Sequence, residues 1–422
     1  MASYTNSNTL TTLNAEFKYV QDRSQSLLPE NSVLMKLVPA ITEATKIGRK
    51  YLVPAQLSHE NGITFGDGTV FALNDASAAV YEEIELDAYP IILQTVISES
   101  VANRMANNSK TFITEATLRA QVMYDSLARY LEIAMLYGQS AGGLAESAST
   151  ASVDSTHEAV VMTAASWSPG IWAGSVGAKV SAYNSGTIIS SGDDAIFTVQ
   201  KVDVANRKVT FTGTSTGITA LHAVASGLKF FWKGAYGVEM LGLDAQIVGG
   251  TAFFGIDPTV YSLWQGQTHA CGSASLSMAK VLAGAAKAVG AGGLNTDAVL
   301  MVSAATYANL NSDQAALRMY DGSYDPKDAE NGSKGITYVG PNGNITVMVN
   351  NIVKEGEAFL IPTKYVKRVG AKDLSFERPG KKDEFFQEIP GFAGYSLRAG
   401  AEFAVLLERP AMACKFTGIV NS

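Results

Sequence analysis

The chain has 422 residues, 47% hydrophobic and 17% charged, a balance that excludes global disorder and leaves room for two or three packed units. Its 32 Lys and Arg against 39 Asp and Glu leave a net charge of −7, without the basic excess of a protein that grips nucleic acid. No apolar run reaches membrane-spanning length and the first residues lack a signal-peptide pattern, so no membrane partner is expected. Cys271 and Cys414 are expected to be two reduced thiols, too few for a disulfide framework.

Residues 1–50 are polar with scattered apolar anchors (Leu27, Leu28, Val33, Leu34, Leu37, Val38), broken by Pro29 and Pro39. No heptad is sustained, so the segment reads as an arm that lies on another surface. Residues 51–86 read as an extended β-hairpin. YLVPAQL is strand-like, and ITFGDGTVFAL carries Gly66, Asp67 and Gly68 between β-rich flanks, with Asp67-Gly68 suited to a tight turn. An isolated hairpin of this kind is marginally stable and needs a neighbour. The acidic run EEIELD follows, with Glu82, Glu83, Glu85 and Asp87.

The clearest helix is 114–137, where Ala116, Ala120, Met123, Leu127, Leu131 and Ala134 recur at three- and four-residue steps. Thr114 is the expected N-cap and Gly138 the expected C-cap glycine. Residues 141–157 are Ala/Ser/Gly/Thr-rich and read as a linker. From 158 to 235 the pattern is short strands, with AIFTVQKVDV and KVTFTGT flanking a turn at Ala205, Asn206 and Arg207. This unit reads as a small β-domain inserted into a larger one.

After 240 the pattern is mixed. Residues 275–293 predict a helix with a glycine-rich end, 297–303 a strand and 304–317 a helix. Residues 319–335 predict a long polar loop, and ITYVG, ITVMVNN, AFLIP and VKRVG predict strands. A strand-rich close occupies 371–422. No repeat of fixed period is present.

Five motifs hold residue types that can carry chemistry. GQSAG, with Ser140 at its centre, fits the G-x-S-x-G pattern of a hydrolase nucleophile. That elbow needs a strand before the serine and a helix after it, and here a helix precedes it. His157, His222 and His269 lie downstream without an informative context. His269 and Cys271 make one ligand pair without the second pair that a structural zinc site needs. DGSYDPKD (321–328) is oxygen-rich but lacks the spacing of a calcium loop. GAGGL (290–294) follows a helix instead of opening one, so it does not cradle a phosphate. Lys364, Lys367, Arg368, Lys372, Arg378, Lys381 and Lys382 form a basic cluster that reads as a solvated face or protein contact. No catalytic, cofactor-binding or metal-binding residue is assigned, and no cofactor is expected.

What remains is shape. YLVPAQLSHENGITFGDGTVFALN (51–74), TEATLRAQVMYDSLARYLEIAMLYG (114–138) and VMVNNIVKEGEAFLIPTKYVKRVG (347–370) with the following LSFERPG resemble, in character and order, segments of the major capsid proteins of tailed bacteriophages. The resemblance implies the α+β Hong Kong 97 fold. Its parts would be an N-terminal arm (1–50), an extended loop (51–86) and a peripheral domain with its spine helix (87–157). A β-barrel-like insertion (158–235), a mixed α/β axial domain (236–370) and peripheral C-terminal strands (371–422) would follow.

It implies a non-enzymatic subunit that self-assembles as hexamers and pentamers into the icosahedral shell around double-stranded DNA. The DNA would be enclosed without sequence-specific binding. Assembly would take place in the host cytoplasm. A portal protein, a separate scaffolding protein and a cement protein are the implied partners. Scaffolding is expected to be separate because no long charged helical segment stands before the arm. Some members weld subunits through an extended-loop lysine. No lysine lies between Tyr51 and Ser109, so no such bond is expected. The subunit interface is expected at Gly66, Asp67 and Gly68, with Glu82, Glu83 and Glu85 facing Lys364, Lys367, Arg368, Lys381 and Lys382 of a neighbour. Two alternatives stay open: an encapsulin-like nanocompartment shell, and a serine hydrolase using Ser140.

Overall fold

The computed structural model describes residues 33–41, 45–47, 50–98, 109–313, 337–376 and 386–421. The chain opens with α1 (Val33–Leu37), β1 (Ala40–Ile41) and β2 (Thr45–Ile47), then β3 (Lys50–Gln56). Residues 57–80 leave the sheet before β4 (Tyr81–Asp87) returns to it. Next come β5 (Tyr89–Ser98) and the long α2 (Ser109–Tyr137). The inserted unit holds β6 (Ala145–Asp154), β7 (His157–Met162), α3 (Pro169–Trp172), β8 (Lys179–Asn184) and β9 (Thr187–Ile188). It continues through β10 (Phe197–Asp203), β11 (Lys208–Thr212), α4 (Ser215–Ala223) and β12 (Lys229–Trp232). Beyond it lie α5 (Leu243–Val248), β13 (Gln267–Ala274), α6 (Met278–Gly292), β14 (Ala298–Val302) and α7 (Ala304–Ser312). The close is β15 (Thr337–Val339), β16 (Asn344–Val349), β17 (Glu357–Ile361), β18 (Val366–Ser375), β19 (Phe386–Glu388), β20 (Gly394–Leu407) and β21 (Cys414–Ile419).

These strands form four sheets among the described residues. β2, β3 and β4 make a small antiparallel sheet with Tyr51 opposite Leu86 and Gln56 opposite Tyr81. Ile84 and Leu86 point inward and Glu83 and Glu85 outward, the two-residue alternation of a half-buried strand. Its buried face packs with Phe253, Ile256, Trp264, Val369 and Leu406. A second sheet is built around β20, which pairs antiparallel with β18, β19 and β5, while β1 runs parallel to β18. α2 packs on this sheet, and its residues Leu127, Leu131, Met135 and Leu136 lie in the largest core cluster. A mixed six-stranded sheet has the order β13-β21-β17-β14-β16-β15, with α6 against β13 and β21.

The inserted unit closes on itself. Its order is β10-β11-β7-β6-β12-β8-β9, and β10 also pairs with β8 through Phe197 opposite Val180. A closed sheet has no free edge to template unwanted pairing. Trp172, Phe197, Phe211 and Phe230 are fully buried, and Phe211 stacks on Phe230 at 5.0 Å. The expected turn at 205–207 joins β10 to β11, with Arg207 at φ 51°.

Several expectations need correction. Residues 141–157 are not a linker: β6 pairs with β7 and β12, so the barrel begins at Ala145 and not at 158. Only Thr150 and Val153 in this strand are β-branched, a weak local signal. Pairing on both sides makes the strand, and Ser147 Oγ accepts the buried Leu228 N–H at 2.9 Å. Thr114 is not an N-cap, because α2 starts at Ser109 and the threonine lies in its interior. The segment 371–422 does not stay with one unit, since β21 inserts between β13 and β17 of the six-stranded sheet. The helix expected over 304–317 ends at Ser312. The expected polar loop 319–335, with the oxygen-rich stretch 321–328, lies outside the described residues.

Gly138 is required for a different reason than the one expected. Gln139, not Gly138, takes the left-handed conformation, with φ 51°. A Cβ on Gly138 would lie 2.2 Å from the Met240 carbonyl oxygen. Gly242 N–H also donates to Gly138 O at 2.8 Å, so two glycine backbones press the end of α2 against the entry to α5. Gly138→Ala is expected to lower unfolding stability by about 2–4 kcal/mol, read from denaturant unfolding of the unassembled chain. Loss below about 0.5 kcal/mol would show that the close approach is not needed.

Candidate functional site

Two places carry the functional reading: the tip of the 57–80 excursion, and a buried group of charges at the end of α2. The excursion is held as two limbs by Leu57 N–H to Val80 O at 2.9 Å and Asn61 N–H to Ser77 O at 3.0 Å. Nearer the tip, Asn74 donates from its backbone to Thr64 Oγ1 and from its amide to Ile63 O, both at 2.8 Å. The hairpin is therefore real at its base but is not a strand ladder at its tip. Asp67 Oδ1 accepts from Thr69 N–H at 3.0 Å and from its hydroxyl at 2.6 Å, a local turn in which Gly68 takes φ +92°. The bonds from Thr69 hold the Asp67 carboxyl below its usual range. A Cβ on Gly66 would run into the Phe71 ring at 2.1 Å.

The tip is apolar and uncovered. Phe65 is 89% exposed, Leu73 80%, Ile63 66%, and Val70 fully. A cluster of large apolar side chains on one protruding segment marks a contact surface, whereas single exposed residues do not.

The charged residues expected at the interface divide into two groups. Glu82 and Glu83 are exposed on β4. Glu85 is paired with Lys50 at the base of the loop. Arg368 is buried at 9% exposure and works inside the chain: its Nε donates to Val38 O at 3.0 Å, its Nη1 to Asp373 at 2.7 Å, and it lies over the Phe403 ring. It ties the arm to β18. Lys367 pairs with Glu408, and Lys364 lies over Tyr365 at 5.7 Å. Arg378, Lys381 and Lys382 lie outside the described residues.

Ser140 is buried, at 2% exposure, between the end of α2 and the start of β6. The order is helix, turn, strand, the reverse of a nucleophile elbow. Its hydroxyl donates to Asp244 Oδ2, at the start of α5. Asp244 Oδ1 receives Lys415 Nζ at 2.5 Å, and Lys415 also reaches Glu357 Oε1 at 2.8 Å. Close by, Lys354 Nζ donates to Gly143 O at 2.7 Å and sits 4.2 Å over the Tyr137 ring, while Lys354 N–H donates to Tyr137 Oη at 3.0 Å. Burial lowers the Lys354 ammonium pKa, with Glu357 and Asp244 partly restoring it. Burial acts downward on Lys415 too, but Asp244 and Glu357 reverse it and leave the net shift upward. Tyr137 is raised well above its usual value by burial, with Glu357 and Asp244 adding to the effect.

The histidines serve elsewhere. His157 bonds Asp154 at 2.8 Å and His222 bonds Glu158 at 2.9 Å, both in the barrel. His269 and Cys271 share a face of β13, but no group of three or more metal-ligand side chains occurs among the described residues. Cys271 and Cys414 are free and buried, and burial pushes the Cys414 thiol up to about 12. In GAGGL, Gly293 caps α6 with φ 64°, as its place after a helix requires.

Sequence reasoning missed Asp244, Lys354, Glu357 and Lys415. The available signal was a lysine set within the apolar run ACKFTGI, and another between NNIV and the strand EAFLI. A charge inside such a run needs a buried partner. The partners stand too far away in sequence to be paired by spacing.

No protein-family profile matches the chain, and no curated protein matches it. Solved structures do. The "Cyanophage A-1(L) capsid asymmetric unit" aligns at TM-score 0.52 and 11% identity, over 94% of this chain and 95% of that one. The "Capsid of native GTA particle computed with C5 symmetry" aligns at TM-score 0.48 and 9% identity, over 97% and 98%. The cyanophage match spans nearly the full length of both chains. It shows that this chain has the α+β fold of the cyanophage capsid chain, with a small closed barrel set into it.

Glu239 bonds Gln139, the residue before Ser140, and provides a pH test. Gln139 N–H donates to its Oε1 at 3.2 Å. Burial raises its carboxyl from 4.5 to about 7, against the opposing effect of that bond. A raised carboxyl contributes stability below its unfolded value that is lost as pH rises through about 7. Glu239→Gln is expected to flatten the fall in stability between pH 5 and 8 by on the order of 1 kcal/mol, after screening. Parallel profiles for the two proteins by chemical denaturation would show that Glu239 does not titrate in this range.

Proposed function

We propose that this chain is the wall subunit of a tailed-phage capsid, assembling as hexamers and pentamers into an icosahedral shell around double-stranded DNA. The observation that carries the reading is the uncovered apolar tip of residues 57–80 on a chain with a full-length capsid fold. An isolated hairpin with Phe65, Val70 and Leu73 in water gains nothing from them. Seated on a second copy, they bury apolar surface at roughly 25 cal/mol per Å². The mild negative charge fits a wall that packed DNA slides past without sticking. Scaffolding, portal and cement proteins belong to this reading as partners, the virion as its final location and the host cytoplasm as its place of assembly.

Electron microscopy of the chain expressed alone and with its candidate scaffolding protein tests the proposal. Closed shells or tubes are expected, and their diameter separates a phage head from a small cargo compartment. Phe65→Asp with Leu73→Asp is expected to leave monomer stability within about 0.5 kcal/mol and to abolish shells. Persistent monomers of the unsubstituted chain under both conditions would count against the shell, and normal assembly of the double variant against the loop tip as its contact.

The domain assignment and the charge contact belong to this reading as well. The sheet around β20 with α2 takes the peripheral role, and the six-stranded sheet the axial role. Glu82 and Glu83 are proposed to face the basic stretch from Lys364 to Lys382 of a neighbour, setting register more than affinity. Reversal of Glu82 and Glu83 to Lys is expected to block assembly, and simultaneous reversal of Lys364, Lys381 and Lys382 to Glu to restore it. Normal shells from the acidic reversal alone, seen by sedimentation, would exclude the contact.

A further inference from the structure

Three Asn-Gly steps stand in the chain, at 61–62, 331–332 and 342–343. The second lies outside the described residues. In such a step the glycine nitrogen can attack the asparagine side chain, because glycine sets no Cβ beside the reacting atoms and lets the backbone bend into a succinimide ring. Whether the folded chain permits the ring depends on what holds each step.

The two described steps differ. Asn342-Gly343 lies in the turn from β15 to β16 and is held from several directions. Asn342 donates from its amide to Leu294 O at 3.2 Å, Gly343 O accepts from Gly340 N–H at 2.8 Å, and Asn344 N–H donates to Asp297 Oδ1 at 2.9 Å. A Cβ on Gly343 would lie 2.8 Å from Thr296 O, so the turn has little room to rearrange. Asn61-Gly62 sits on one limb of the 57–80 excursion, outside any helix or strand, with both residues exposed. The Asn61 amide reaches only His59 O, at 3.3 Å, and no group among the described residues accepts the Gly62 N–H. The attacking nitrogen is therefore not tied into the fold.

We propose that Asn61 is a modification site, at which the folded chain converts spontaneously to aspartate and isoaspartate. Gly62 N attacks Asn61 Cγ and the N–Cγ bond forms. Nδ2 leaves with the Gly62 amide proton as ammonia. Water then opens the succinimide. Attack at Cγ gives aspartate, and attack at the main-chain carbonyl gives isoaspartate, whose backbone runs on through Cβ and Cγ. One amide is exchanged for one carboxylic acid, and nothing is oxidised or reduced.

The position gives the change a consequence. Asn61 N–H to Ser77 O is one rung between the limbs, and Asn74 on Ile63 O and Thr64 Oγ1 makes the next. Isoaspartate inserts one extra backbone bond, about 1.5 Å, between these rungs on one limb alone. It also sets a carboxylate two residues from Ile63, at the edge of the apolar tip. The limbs then leave register just below Phe65. This consequence rests on the capsid reading: a subunit that ages before it assembles loses the shape of its contact.

The test follows the unassembled chain through incubation in warm, mildly alkaline buffer, with peptide mass mapping and isoaspartyl methyltransferase labelling. A gain of about 1 Da and methyl labelling are expected at Asn61 and not at Asn342. In denaturant both steps are expected to convert. Asn61→Gln is expected to abolish the labelling of the native chain in this region. A native chain that keeps the Asn61 amide while the denatured chain loses it would overturn the proposal, and so would equal conversion at Asn342. For the consequence, the aged native chain is expected to lose shell yield in proportion to its modified fraction, while the aged Asn61→Gln chain keeps its yield. Equal yields would overturn the effect on the tip. Shells absent even from fresh chain would count against the capsid reading and leave the modification standing.

Discussion

The structure turns on a charge balance held away from water. The end of α2 supplies Tyr137 and Ser140, α5 supplies Asp244, and the six-stranded sheet supplies Glu357 and Lys415, with Lys354 on the approach to β17. Lys354 Nζ also donates to Gly143 O, in the turn that leads into the barrel. A buried charge without its partner is costly enough that no element of this group can move alone. Three separately coded units therefore meet in one arrangement. The Gly138–Gly242 approach, which no side chain permits, fixes the backbone spacing there.

Around that junction the cores divide the work. The largest cluster runs from the barrel interior along α2 to the inner side of β20 and β5. A second fills the space between α6 and the six-stranded sheet, where a Cβ on Gly284 would meet Phe416 at 2.4 Å. A third seats the base of the extended loop. The loop beyond this base has no core of its own. Its base is packed and its apolar tip is left uncovered.

The same division explains which charges face solvent. Arg368 stands in the middle of a basic sequence run, yet it is spent on Val38 and Asp373. Glu85 is spent on Lys50, whereas Glu82 and Glu83 are exposed on β4. A run of like charges in sequence is thus not one patch in space. Burial decides which members face outward.

By itself the sequence determined the elements whose signal is local. The period of α2 and the turn at 205–207 depend on near neighbours and were legible. So was the order of segments that carries the capsid resemblance. Tertiary structure decided the rest, because the deciding partner lies far away in the chain. β6 is a strand only because β7 and β12 flank its alanines and serines. β21 leaves the C-terminal segment to pair with β13 and β17. Ser140 reads as a hydrolase serine in GQSAG until Asp244 and Lys415 close around it, an arrangement that spacing along the chain does not encode.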